Sequence, residues 1–238
     1  MEPNVVVALA ASCRGCPSPP RAPGRTRMVR AGADALGFLS GLTHFSEDRL
    51  GPDQARDLVR RVPPFLVTVL VTHLTDPAEV DDLHQFVGAD RVQLHGEMTV
   101  DEVTAARRRM PQTGLIRAVH VTAGATAADV LTEAKARGAA CAVILDSRTD
   151  QRLGGTGVTH DWSVSRVVAS RLSCPVIMAG GLTPVNVTAA VREVRPFAVD
   201  VNSGVEDSQG CKSLQLCQRF VAEARMACDS SDRASRGA

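Results

Sequence analysis

Short apolar runs alternate with capped, amphipathic stretches along almost the whole chain, and that rhythm admits few folds. Eight runs read as strands: Val5 to Ala10, Ala33 to Leu39, Phe65 to Thr72, Arg91 to Leu94, Leu115 to Val121, Ala140 to Leu145, Pro175 to Ala179 and Phe197 to Val201. Between them stand helix openings: Gly51-Pro-Asp-Gln, Asp76-Pro-Ala-Glu, Thr99-Val-Asp-Glu, Thr126-Ala-Ala-Asp, Asp161-Trp-Ser and Thr183-Pro-Val-Asn. Each sets a capping residue or an early proline before an apolar-periodic segment. A last helix is expected from Lys212 to Ala227. Strands alternating with helices form βαβ units, whose strands lie parallel and are covered by helices. Eight such units favour a closed α/β barrel of eight parallel strands over an open sheet, and no dinucleotide-type glycine fingerprint follows the first strand.

Size fits that architecture, because α/β barrels reach 238 residues without dividing. Residues 1–227 are expected to form one domain, and residues 228–238, with their Ser, Asp and Arg, a disordered tail. A net charge of +1 supplies no field to recruit nucleic acid or an anionic membrane. Aromatics make up 3% with no Tyr, which also argues against a base-stacking surface. Seven cysteines, an odd number spread along the chain, do not look like a disulfide framework, so a reducing cytoplasm is expected. Cys13 and Cys16 have metal-like spacing, yet no second Cys or His pair follows at zinc-finger distance. The apolar start Val5 to Ala11 is short and lacks a preceding basic region, so it reads as a strand; nothing later is long enough to span a bilayer.

Chemistry in a parallel barrel gathers where strands end. The run Ala142 to Leu145 is followed at once by Asp146, and then by Gly154-Gly-Thr-Gly157. Two more glycine clusters follow later strands, Ala179-Gly-Gly-Leu182 and Asn202-Ser-Gly-Val205. Glycine lets backbone N–H groups approach a ligand closely, and loops after the seventh and eighth strands are the common phosphate site of such barrels. A carboxyl group beside an anion cradle is therefore the expected centre, with Gly155, Gly157, Gly180, Gly181, Ser203 and Gly204 lining the cradle.

Val92-Gln-Leu-His-Gly96, Leu145-Asp-Ser147, Gly154-Gly-Thr-Gly157 with Asp161-Trp162, Ala179-Gly-Gly-Leu-Thr-Pro184 and Arg195-Pro-Phe-Ala-Val-Asp-Val-Asn-Ser-Gly-Val-Glu206 occur in a fixed order. Together with Gly32-Ala-Asp-Ala-Leu-Gly-Phe38, they resemble phosphoribosylanthranilate isomerase of tryptophan biosynthesis over about Ala31 to Phe220. The resemblance implies a (βα)8 TIM barrel that uses no cofactor and no metal. It also implies an Amadori rearrangement of N-(5-phosphoribosyl)anthranilate to 1-(o-carboxyphenylamino)-1-deoxyribulose 5-phosphate. Asp146 takes the place of the family's general acid, and the base is a Cys at the end of the first strand. Here Ala10-Ala-Ser-Cys-Arg-Gly-Cys-Pro replaces the family's Lys-Ile-Cys-Gly pattern, so Cys13 and Cys16 both stand as candidates, with Arg14 near enough in sequence to favour a thiolate.

Further departures bear on the substrate. The family's loop arginine, which meets the anthranilate carboxylate, aligns without gaps on Asp48; a slip of one residue gives the role to Arg49. Thr72-His73-Leu74 replaces Phe-Val-Asn, and His160 stands where a Phe is common. His95 either lines the barrel mouth with the substrate or bonds backbone as a neutral ring, and His120, late in the fifth strand, either points inward or is structural, the commoner role of a lone histidine. Asp200 and Lys212 are expected to shape or steer the phosphate loop, and Cys141, Cys174 and Cys217 to be small core residues. The partner expected is a small phosphosugar, with no nucleic acid and no membrane, the chain acting as a monomer or homodimer. Three functions stay open: the isomerase itself, a relative acting on another phosphorylated sugar or amine, and an inert phosphosugar-binding barrel.

Overall fold

The computed structural model describes residues 6–10, 28–43, 48–136, 140–147 and 160–235. Its strands are β1 (Val6–Ala10), β2 (Ala35–Leu39), β3 (Val67–Thr72), β4 (Arg91–Leu94), β5 (Gly114–Val121), β6 (Ala142–Ser147), β7 (Val176–Met178) and β8 (Ala198–Val201). The seven from β2 to β8 form a curled, wholly parallel sheet in sequential order. β1 lies parallel to β2 on one side and to β8 on the other. Each strand lies within two residues of its expected start, because runs of β-branched and aliphatic residues fit a pleated surface buried on both sides. β6 continues through Asp146 and Ser147 instead of ending before them.

Helices α1 (Pro52–Val59), α2 (Pro77–Val87), α3 (Val100–Arg109), α4 (Ala127–Ala136), α5 (Trp162–Arg171), α6 (Val187–Val194) and α7 (Leu214–Ser235) cover the sheet. Their starts have direct causes. The Asp76 carboxylate accepts from the backbone N–H groups of Ala78 and Glu79 at 2.6 and 3.1 Å, and Asp161 accepts from Ser163 at 2.9 Å. Thr99 with Glu102, and Thr126 with Asp129, make reciprocal bonds that satisfy first-turn donors. The last helix runs past Ala227, where the sequence analysis ends it, to Ser235. Cys217, Phe220, Val221, Ala224 and Ala227 bury one face of it, and adding residues to a helix so anchored costs little.

Two apolar layers result from the two-residue period of the strands. Outward residues meet the helices: Leu36, Phe38, Leu70, Val92, Leu94, Val199 and Val201 join the main cluster, while Val119, Val143 and Leu145 pack with Val130, Leu131, Val164 and Val168. Ala118, Ile144 and Ala179 form a separate inner cluster. Parity then decides what reaches the mouth. Two residues beyond Ile144 is Asp146, and two beyond Ala118 is His120. Of the thiols expected in the core, Cys217 is buried and Cys174 half-buried, but Cys141 is exposed at the N-terminal edge of β6.

Candidate active site

Asp146 is 7% exposed at the C-terminal end of β6, and it lies opposite His120 in the β5–β6 register. His95 follows β4; its backbone N–H donates to the Thr72 carbonyl at 2.9 Å, which extends the ladder by one residue and aims the ring at the mouth. His95 Nε2 lies 3.5 Å from Asp146 Oδ2. His73 stacks on His95 with ring centroids 4.9 Å apart, and His120 meets His95 edge-on at 5.0 Å. Three histidines thus line up beside one carboxyl group. His95 is expected there from sequence, whereas His120 is expected either to point inward or to be structural, and His73 stands only as a departure. Inward parity on β3, β4 and β5 would have flagged all three, since Leu70, Val92 and Val119 face outward.

Asp200 joins them from β8. Burial, reinforced by the negative charge of Asp146, raises its carboxyl to about 7, against the pull of His95 and Lys212. Between the ordinary carboxylate range and about pH 7, the folded protein therefore holds a proton that the unfolded chain has released. This group's contribution to stability falls as pH rises through that window, and it is flat above it. Asp200→Asn should remove that slope. The difference between variant and parent urea midpoints is expected to grow from about pH 5 to about pH 7 and then level off; a pH-independent difference would contradict the assignment.

Beside the carboxyl groups, three loop starts pack at contact distance. Gly180, after β7, has φ +82, and a Cβ there would lie 2.3 Å from the Ser147 backbone nitrogen. A Cβ on Gly204 would lie 1.8 Å from the Leu182 carbonyl oxygen, so the turn after β8 is pressed against the loop after β7. Ser147 is fixed in turn by His160, whose Nδ1 is 2.7 Å from Ser147 Oγ and whose Nε2 is 2.5 Å from Ser165 Oγ. Burial lowers the His160 pKa, opposed by the charges of Asp146 and Asp161, so the ring is held neutral as a hydroxyl-bonded strut. Asn186 closes the β7 loop, accepting from Thr183 N–H at 2.7 Å and donating to the Gly181 carbonyl at 3.0 Å. Ser203 and Gly204 lie in a short 3-10 turn, Ser203–Val205.

Asp48 and Arg49 separate clearly. Asp48 is 3% exposed and accepts from Asn202 Nδ2 at 3.0 Å, while Arg49 is exposed. Asn202 in turn accepts from the wholly buried Lys212, whose ammonium also bonds the Asn202 carbonyl and Glu206. Lys212 therefore braces the turn after β8 from behind. Cys13, Cys16, Gly155 and Gly157 lie outside the described residues. No helix among the described residues is long and apolar enough to cross a membrane.

The chain is similar in sequence and in fold to known proteins. N-(5'-phosphoribosyl)anthranilate isomerase 2 of Methanosarcina mazei is 39% identical over 196 residues, 82% of this chain and 85% of that protein. The crystal structure of phosphoribosyl anthranilate isomerase from Thermotoga maritima superimposes with a TM-score of 0.76 at 29% identity, covering 93% of this chain and 99% of that one. A crystal structure of phosphoribosyl anthranilate isomerase in complex with reduced 1-(o-carboxyphenylamino)-1-deoxyribulose 5-phosphate has a TM-score of 0.73 at 28% identity, with the same coverage. The family profile described as N-(5'phosphoribosyl)anthranilate (PRA) isomerase matches residues 26–223, and the chain belongs to that family.

Proposed function

We propose that the protein converts N-(5'-phosphoribosyl)anthranilate to 1-(o-carboxyphenylamino)-1-deoxyribulose 5-phosphate on a complete (βα)8 TIM barrel, as one domain over residues 1–227. The pairing of β1 with both β2 and β8 supports the closed barrel. The observation that carries the function is a nearly buried carboxyl group, Asp146, standing between a row of histidines and the tightly packed starts of the β6, β7 and β8 loops. Those loop starts, through Gly180, Gly181, Ser203 and Gly204, receive the substrate phosphate, with Gly155 and Gly157 from the intervening loop.

Asp146 donates its proton to the ribose ring oxygen. The C1′–O bond breaks as the anilino nitrogen's lone pair forms a C1′=N Schiff base. A thiolate from Cys13 or Cys16 then takes the C2′ proton, and the electron pair moves through C2′–C1′ to nitrogen, giving an enolamine. Its tautomerisation leaves a C2′ ketone and a reduced C1′, so no external oxidant is needed. A free thiol ionises near about 8.5, so the base needs a cation beside it, and Arg14 is the candidate by sequence. His95, 3.5 Å from the carboxyl group, holds Asp146 in line. A homodimer or a monomer, working in the cytoplasm, is the assembly this reading takes.

One observation favours a neighbouring substrate. The acid Asp48, not Arg49, faces inward here, bonded to Asn202. A carboxylate at that position suits a phosphorylated sugar whose amine substituent lacks anthranilate's carboxylate. Purified protein added to phosphoribosylanthranilate separates the two: rapid loss of the substrate's fluorescence supports the isomerase, and no loss above the spontaneous rate from folded protein favours the altered substrate. Gly204→Ala tests the phosphate site, because its methyl group must displace the Leu182 carbonyl. We expect KM to rise about tenfold or more, and an unchanged KM would remove this turn from the phosphate site.

A further inference from the structure

We propose that His95, His120 and Asp146 form a binding site for one divalent ion of the zinc type at the mouth of the barrel. Three adjacent strand ends, those of β4, β5 and β6, supply these residues, and one donor atom from each lies within 4.8 Å of the others. His95 Nε2 and Asp146 Oδ2 are already 3.5 Å apart. Zinc bonds to imidazole and carboxylate at about 2.0–2.2 Å, which places two tetrahedral ligands about 3.3 Å from each other. The third donor, within 4.8 Å of the others, has to move closer for all three to reach one ion. Two imidazoles and a carboxylate select zinc, cobalt or nickel over magnesium or calcium, and three protein ligands leave a fourth position open toward the mouth.

The surroundings reinforce the site. His73 stacks on His95 and limits its rotation. Among the described residues nothing bonds His95 Nδ1, so this buried nitrogen leaves the ring uncommitted on that side. If Asp146 is the acid, as proposed above, an ion bound there takes the lone pairs that must carry the proton. Zinc should then inhibit turnover reversibly, relieved by a chelator.

The test uses cobalt(II) as probe on the full chain. One equivalent should give the visible absorption of a four-coordinate ion without a near-ultraviolet thiolate band. His95→Asn and His120→Asn should each weaken cobalt binding at least about tenfold with far-ultraviolet circular dichroism unchanged, and His120→Gln serves if His120→Asn fails to fold. His84→Asn, whose ring bonds the Ala89 carbonyl at 2.8 Å, should leave cobalt affinity as it was. No visible band at millimolar cobalt overturns the proposal. So does a thiolate band abolished by Cys13→Ser and Cys16→Ser, which puts the ion on the cysteines. Because cobalt absorption is read without substrate, an Asp146→Asn variant that keeps its turnover would sink the acid assignment and not the metal site.

Discussion

Asp146→Asn should lower kcat by about 10²–10⁴-fold while leaving the fold intact. The amide occupies the volume of the carboxyl group, so the packing around Ile144 and Leu145 is undisturbed. What disappears is the only step an amide cannot perform, delivery of a proton to the departing ring oxygen. KM should change far less than kcat if, as proposed, the loop starts after β7 and β8 hold the phosphate. Loss of phosphoribosylanthranilate fluorescence measures both constants, and thermal melting checks that the variant is folded. A variant retaining more than about a tenth of parental kcat would remove Asp146 from the acid role. Asp200 is then the next candidate, since its carboxyl, raised to about 7, carries a proton in the same cavity.

How far the sequence announces this site depends on the distance over which each feature is decided. The run through Val143 and Leu145 needs only local pattern: alternate residues meet α4 and α5 while Ile144 faces the inner cluster, so a strand ending in an inward acid is legible. Helix starts at Asp76, Thr99 and Asp161 are equally local, because the cap and the N–H groups it satisfies lie within three residues. Gly180 and Gly204 are legible as glycines at strand ends, although the atoms that exclude a side chain, those of Ser147 and Leu182, are not. The row His73–His95–His120 needs the registers of three strands at once, and each histidine alone has an unremarkable structural explanation. Asp48 against Arg49 is harder still. Both are polar residues in one loop, and what draws Asp48 inward is an asparagine 154 residues away.

Lys212→Met should cost about 3–5 kcal/mol, the largest stability loss we expect from any single change in the described residues. Its ammonium is wholly buried and bonds the Asn202 carbonyl, the Asn202 side chain and Glu206, itself only 7% exposed in its side chain. Methionine fills much of the same volume, so the loss comes from a carboxylate left buried without its counter-ion rather than from a cavity. For a domain of this size that corresponds to a fall in Tm of about 6–20 °C. Adding Glu206→Gln removes the stranded charge, and the double variant should recover a substantial part of the loss. The function should respond through the same bonds. Asn202 keeps its contact with Asp48 but loses its anchor from behind, so the turn Ser203–Val205 loosens and KM for the phosphorylated substrate rises in both variants. Single and double variants melting together would show that the loss does not come from the Glu206 charge. A single variant within about 1 kcal/mol of the parent would show that the buried ammonium does not brace the phosphate turn.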